Sequence, residues 1–429
     1  MPLQQSDFTV DRLGPGEFDS PMRNVPFIRD DRRVLYAAEA AEVCAEIEAG
    51  RKPLAFEIAG PRERLFFKPG TVRAGLVTCG GLCPGLNDVI RAVVLSLEHH
   101  YQAEVIYGFR YGYEGLIDDY GHEPWLLDSE EVDHIEDAGG TILGSSRGPQ
   151  DVGRMVDRLE QLGINMLFVI GGDGTLRGGR DMAAEIHRRG SNIAVIGLPK
   201  TIDNDIGFIQ MSFGFQTAVA EAGQAIAAAH VEAKGARNGI GLVKLMGRHS
   251  GFIAAHAALA GSQVNFCLVP ECPFTLESFL GTLQARLERR GHAVIVVAEG
   301  AGQDLMEANL GRDASGNVKL GDIGLFLRDE IKAHFGRVKM PVGLKYIDPS
   351  YMIRGVPANA FDSAFCLLLG HNAVHAAMSG RTNVVVGFWR NEFTHVPIPL
   401  ATSARKQIVP DSRLWSSVLA STGQPREMV

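Results

Sequence analysis

The stretch "VIGGDGTLRGG", residues 169–179, places one carboxylate, Asp173, among five glycines directly after an apolar run. The run reads as a buried strand, the glycines as a tight turn and the remainder as the start of a helix. In open sheets of parallel strands, ligands bind at the carboxyl ends of the strands. Glycines there present backbone N–H groups to phosphate oxygens, and an acid beside them can hold a divalent cation bridging those oxygens. Asp is also a common helix cap, so this stretch alone leaves both readings open.

Outward from it, short β-branched runs alternate with helical patterns: "AGLVT", "AEVIYGF", "NMLFVI", "NIAVIG", "GIGLVKLM", "QVNFCLVP", "HAVIVVAEG", "PVGLKYI" and "TNVVVGF". Continuous apolar strands separated by helices indicate parallel sheets covered on both faces. Leu86, Val89, Ile90, Val93, Val94 and Leu97 follow the i, i+3, i+4, i+7 spacing of one such helix. Some nine strands exceed what one doubly wound sheet usually needs. The expected fold is therefore α/β, with two Rossmann-like αβα domains, mostly parallel sheets and an active-site cleft between them. Residues 1–71, charged and rich in Arg and Pro, read as an N-terminal extension. The expected domains are 72–213 with about 351–390, then 214–350, with 391–429 as a C-terminal tail.

Composition limits the function. The 429 residues are 45% hydrophobic and 21% charged with a net charge of -8, which fits a globular protein and leaves no basic footprint for nucleic acid. The six cysteines (Cys44, Cys79, Cys83, Cys267, Cys272, Cys366) lack C-x-x-C spacing, which argues against a zinc site or disulfide framework and for a reducing cytoplasm. No signal segment or apolar window of spanning length appears, so neither secretion nor a membrane span is expected.

Three further turns stand out. In "TCGGLCPGLND" (78–88), Gly80, Gly81 and Gly85 free the backbone to approach a ligand, or merely let strand and helix pack closely. In "LPKTIDND" (198–205), Asp203 and Asp205 lie two apart beside Lys200, Thr201 and Asn204. Clustered carboxylates repel unless a metal or proton transfer uses them, although Asp and Asn also favour ordinary turns. In "KLMGRHSG" (244–251), Arg248 lies between a strand and a helix, suited to a phosphate or a sugar hydroxyl, or to a surface ion pair.

Together with "GLVTCGGLCPGLNDVIR", "GGTILGSSRG", "LVKLMGRHSGFIAAHAAL", "VAEG" and "DPSYMIRG", these turns resemble, in order, the phosphofructokinase family from about residue 72 to 390. The likeness is strongest to the branch containing the plant and trypanosomal ATP-dependent enzymes. "GGDGT" alone is shared with NAD kinases and lipid kinases, whereas "PKTIDND" followed by "MGR" is specific.

The resemblance implies phosphoryl transfer from ATP to the 1-hydroxyl of fructose 6-phosphate. Residues 72–213 with about 351–390 would then bind nucleotide and Mg2+, and residues 214–350 the sugar phosphate. Asp203 matches the family's general base, with Thr201 positioning the sugar. Asp173 matches the Mg2+ ligand, and Arg147 an arginine reaching the transferred phosphoryl group. Gly81, Arg147, Gly148, Gly172, Asp173, Gly174 and Thr175 match donor-binding positions. Lys200, Thr201, Asp203, Met246, Gly247, Arg248 and Glu299 match sugar-phosphate contacts, with Tyr351 and Arg354 clamping the 6-phosphate. Bacterial relatives carry arginine where this chain has Lys345, contributed there by a neighbouring subunit. A homo-oligomer, dimer or tetramer, is implied.

Two positions disagree about the donor. Pyrophosphate-dependent relatives typically have Asp where this chain has Gly174, and an acid there would repel ATP. Lys200 is typical of those same relatives but can serve either polyphosphate. Gly174 carries more weight because it concerns exclusion, so ATP is the expected donor. A pyrophosphate-dependent enzyme is the alternative, and a non-catalytic regulatory paralogue a second one.

Overall fold

The computed structural model describes residues 3–306, 311 and 318–428. All nine strand segments expected from the apolar runs are strands, and they divide between two compact units. No helix among the described residues is long and apolar enough to cross a membrane.

The first unit comprises Met1–Ile202, Ile206–Gly214 and Val356–Ala404. Its nine-stranded sheet runs in the order Arg33–Leu35, Ala55–Ile58, Glu392–Pro397, Val384–Trp389, Ala194–Pro199, Met166–Gly171, Arg73–Thr78, Val105–Phe109, Trp125–Leu126. The five strands from Val384–Trp389 to Val105–Phe109 pair in parallel, and the outer pairings are antiparallel. Met166–Gly171 and Ala194–Pro199 are buried along their whole length, as strands covered on both faces must be. On one face Leu167, Val169 and Val195 pack with Met155, Val156 and Leu159 of helix Val152–Gln161 and with Met182 and Ile186 of helix Asp173–Arg189. Burying such side chains stabilises the unit by roughly 2 kcal/mol each. Helices Leu86–Tyr101 and Ala360–Met378 cross closely, since a Cβ on Gly370 would lie 2.5 Å from the Ala92 Cβ.

The segments set apart in sequence as extension and tail are structural parts of these units. Arg33–Leu35 and Ala55–Ile58 extend the sheet, and Glu392–Pro397 lies between Ala55–Ile58 and Val384–Trp389. A buried charge cluster joins them: the Glu57 carboxylate accepts from Arg381 at 2.5 Å, Arg12 at 3.1 Å and Arg62 at 3.4 Å, and contacts His395 Nδ1 at 3.0 Å. A buried acid is retained only with such partners.

The second unit comprises Asp203–Asp205, Phe215–Gly355 and Arg405–Val429. Its sheet is fully parallel, in the order Phe266–Leu268, His292–Ala298, Gly239–Leu245, Gly343–Ile347. Ile240, Leu242, Ile295 and Val297 pack against Leu280, Leu283 and Leu287 of helix Leu276–Arg290 and Leu327 and Ile331 of helix Ile323–Arg337. Thr275 and Asp322 cap these helices, each accepting from the N–H three residues on.

Candidate active site

The first unit assembles the glycine turns. Strand Met166–Gly171 passes through Gly172, in extended conformation, directly into helix Asp173–Arg189, so Asp173 is the first helical residue. Gly171 is obligatory there, because a Cβ would stand 2.4 Å from the Thr175 side chain. The Asp173 carboxylate is mostly buried, with Arg177 at 3.7 Å one turn along. Gly174 differs from its neighbours: it is exposed, and a Cβ on it would meet nothing within 4 Å. Thr175 is buried, and its carbonyl accepts from the Tyr113 hydroxyl at 2.5 Å.

The turn after Arg73–Thr78 and the loop 141–148 hold each other. Thr78 Oγ1 donates to the Gly144 carbonyl at 2.6 Å, Ser145 Oγ to the Gly80 carbonyl at 2.6 Å, and Gly80 N–H to the Ser146 carbonyl at 3.0 Å. Gly80 and Gly148 have φ of +87° and +108°, values that favour glycine. This lacing holds the loop that carries Arg147, exposed, and Gly148 against the Gly80 turn. Lys200, at the end of Ala194–Pro199, is buried and donates from Nζ to the Gly81 carbonyl at 2.6 Å. Its neighbour Thr201 accepts at its carbonyl from Ser212 Oγ at 2.6 Å.

The second unit gathers the remaining predicted residues. Met246, Gly247 and Arg248 follow strand Gly239–Leu245, and Glu299 follows strand His292–Ala298. The two turns are bonded together: Glu299 N–H donates to the Leu245 carbonyl at 2.9 Å and Gly300 N–H to the Gly247 carbonyl at 3.1 Å. Gly247 has φ +131°, and a Cβ on Gly300 would lie 2.0 Å from the Arg248 carbonyl oxygen. Arg354 stacks over the exposed Tyr351 ring, 4.6 Å from its centroid.

Asp203 lies among these groups. Asn204 beside it adopts φ +54°, a left-handed position that Asn tolerates, which accounts for the residue between the two acids. Asp203 Oδ1 is shielded from solvent and makes no hydrogen bond among the described residues. Burial pushes its carboxyl well above the usual carboxylate range, and the charges of Asp205 and Glu299 push the same way. The Arg248 backbone N–H and the Arg405 guanidinium pull it back. Glu299 is likewise raised by burial, with Arg248, Lys244 and Arg354 opposing. Electrostatics thus connect Asp203 with Arg248 and Glu299, and Glu299 with Arg354.

Some residues were not singled out in sequence. Lys244 bridges Asp348 at 2.8 Å and Asp322 at 3.0 Å, anchoring the segment that precedes Tyr351. Arg405 and Lys406 approach the Asp203–Asp205 turn from two hundred residues on in the chain, and nothing in a short polar run announces that. Lys345, by contrast singled out in the sequence, is exposed, 3.8 Å from Glu232. His375 contacts the Tyr101 hydroxyl at 2.8 Å inside the first unit, a packing role. No group of three or more His, Cys, Asp or Glu that could hold a metal occurs among the described residues.

Parallel sheets carrying glycine-lined, acid-bearing turns at their carboxyl ends define an α/β protein of the kind that binds ligands at its strand ends. A family model described as phosphofructokinase matches residues 73–377, and the chain belongs to that family of glycolytic kinases. It is 49% identical over 446 residues to an ATP-dependent 6-phosphofructokinase of Amycolatopsis methanolica, covering 100% of this chain and 97% of that one. Against the Trypanosoma cruzi protein of the same name it is 46% identical over 424 residues, covering 97% and 87%. Against ATP-dependent 6-phosphofructokinase 7 of Arabidopsis thaliana it is 50% identical over 382 residues, covering 88% and 78%. The solved pyrophosphate-dependent phosphofructokinase of Marinobacter aquaeolei is similar in fold, with TM-score 0.67 over 82% of this chain and 91% of that one, at 20% identity.

Proposed function

We propose that this protein is an ATP-dependent 6-phosphofructokinase, transferring the γ-phosphoryl group of ATP to the 1-hydroxyl of D-fructose 6-phosphate to give fructose 1,6-bisphosphate and ADP. The observation that carries the choice of donor is Gly174, exposed and followed by open space where an acidic side chain would otherwise stand beside the polyphosphate. The full-length similarity to relatives named as ATP-dependent supports it. Lys200, the residue that favours pyrophosphate in sequence, is tied to the Gly81 carbonyl, a contact that braces the donor turn for either polyphosphate.

In this reading the first unit binds the nucleotide and the second the sugar phosphate. Gly81, Gly148, Gly172, Gly174 and Thr175 line the donor phosphates, and Arg147 reaches toward the transferred group, where charge spreads over three oxygens. One carboxylate beside a glycine turn fits Mg2+, which is usually held by one or two carboxylates together with substrate phosphates and water. Asp173 would hold it, and the bound ion would neutralise charge on the phosphates. Met246, Gly247, Arg248 and Glu299 hold the sugar hydroxyls, Tyr351 and Arg354 the 6-phosphate, and Lys200 and Thr201 orient the acceptor. Asp203 accepts the proton of the attacking 1-hydroxyl. Its environment disfavours standing charge, so taking up a proton relieves repulsion from Asp205 and Glu299. A homo-oligomer, dimer or tetramer, in the cytoplasm completes the reading.

The test is product identification: fructose 6-phosphate, Mg2+ and ATP with the purified protein, followed by phosphorus NMR. A new phosphomonoester at C1 with ADP formed in equal amount is expected. Binding of both substrates without turnover would instead favour the regulatory paralogue.

A further inference from the structure

Residues 405–408 are bonded to two turns of the sugar-phosphate side. The Lys406 backbone N–H donates to the Asp205 carbonyl at 2.8 Å, and the Lys406 ammonium lies over the Phe252 ring, 5.4 Å from its centroid. Gln407 Nε2 donates to the His249 carbonyl at 2.8 Å. The buried Ile408 donates its N–H to Glu271 Oε1 at 2.8 Å, and the same oxygen accepts from the Gly251 N–H at 3.0 Å. One short segment is thereby tied to the turn carrying Asp203 and to the turn carrying Arg248.

Its charges match that placement. Arg405 favours the charged form of Asp203, against burial and two neighbouring acids. Burial brings the Lys406 ammonium down to about 8, with Asp205 opposing that fall. Two consecutive cations thus act electrostatically on two aspartates spaced two apart, while hydrogen bonds to Asp205, His249 and Glu271 fix the segment that carries them.

We propose that Arg405–Ile408 is a positioning strap for the phosphoryl-acceptor site, in which Arg405 and Lys406 hold the Asp203–Asp205 turn in working geometry. The inference rests on Asp203 being the general base. Neither cation is a catalytic residue; each acts through an aspartate.

Steady-state kinetics of full-length Arg405→Gln and Lys406→Met read the proposal. General-base catalysis is worth roughly a hundredfold to ten-thousandfold, so a misplaced base is expected to lower kcat about tenfold to a hundredfold. KM for ATP is expected to stay within about twofold, since donor contacts lie elsewhere. Arg405→Lys and Lys406→Arg are expected to recover most of the loss, which a merely structural role would not require. Asp203→Ser is run in parallel. If the two neutral variants keep full kcat while Asp203→Ser is inactive, the strap is wrong and the base stands. If Asp203→Ser is fully active, the base itself is wrong. Failure of the charge-keeping variants to recover kcat also overturns the strap. Should the neutral variants not fold, Gln407→Ala decides, since it removes one tie and no charge: a kcat lowered about threefold or more at constant ATP KM supports the strap, and an unchanged kcat overturns it.

Discussion

Asp173 and Asp203 both follow buried parallel strands, yet different groups surround them. Asp173 opens a long helix, where the free N–H groups of the first turn favour negative charge, and Arg177 stands one turn away at 3.7 Å. Asp203 is shielded from solvent beside Asp205 and Glu299, which all disfavour its charge. The first environment offers a carboxylate a positive partner, which suits the cation-holding role proposed for Asp173. The second leaves a carboxylate ready to take a proton, as a base must be. Two similar residues after two similar strands thus acquire different chemistry from what packs around them.

The contrast can be broken most severely at Asp203. Asp203→Ser is expected to lower kcat by roughly a thousandfold with little change in either KM, measured by steady-state kinetics. Retention of substantial turnover would remove the distinction between the two acids.

At the other site, Gly174→Asp adds a like charge beside the donor. Two such charges 4 Å apart cost about 4 kcal/mol at an effective dielectric of 20, so kcat/KM for ATP is expected to fall by about a hundredfold or more. The melting temperature should be unaffected, because the new side chain enters open space. A variant equally active with ATP would show that Gly174 does not govern the donor.

A smaller loss is expected from Arg354→Ala. Removing a charged hydrogen-bond donor costs about 2 kcal/mol, which appears as a KM for fructose 6-phosphate raised roughly thirtyfold, with ATP KM constant.

The smallest effect has the opposite sign. Since the folded-state pKa of Asp203 is raised, its contribution to stability is fully present below the unfolded carboxylate value and is lost as pH rises through the folded one. Asp203→Asn should therefore melt higher than the parent at pH 8, by about 1 kcal/mol, while the difference vanishes toward pH 4. A lower melting point at pH 8 would mean that the Asp203 charge is stabilised in the fold.

Much of this was legible in sequence because chemistry and strand pattern coincide. Each of the turns "VIGGDGT", "LPKTIDND" and "KLMGRHSG" follows a run of buried apolar residues, so the strand and the turn at its carboxyl end are read together. What escaped depends on contacts distant in the chain. Glu57 pairs with Arg381 across 324 positions, so a charged early segment that reads as an extension proves to be fastened into the sheet. Arg405 and Lys406 lie in a short polar stretch, the pattern of a solvated surface, and only the folded chain sets them against Asp203 and Asp205. Gly300 likewise looks like an ordinary turn glycine until the Arg248 carbonyl is found 2.0 Å from where its Cβ would be.

The central claim, an ATP-dependent phosphofructokinase governed by Gly174, is tested most directly by initial rates of the unmodified protein with fructose 6-phosphate and Mg2+, using ATP in one series and pyrophosphate in the other. Turnover with ATP and at most a trace with pyrophosphate is expected. Turnover with pyrophosphate alone would contradict it.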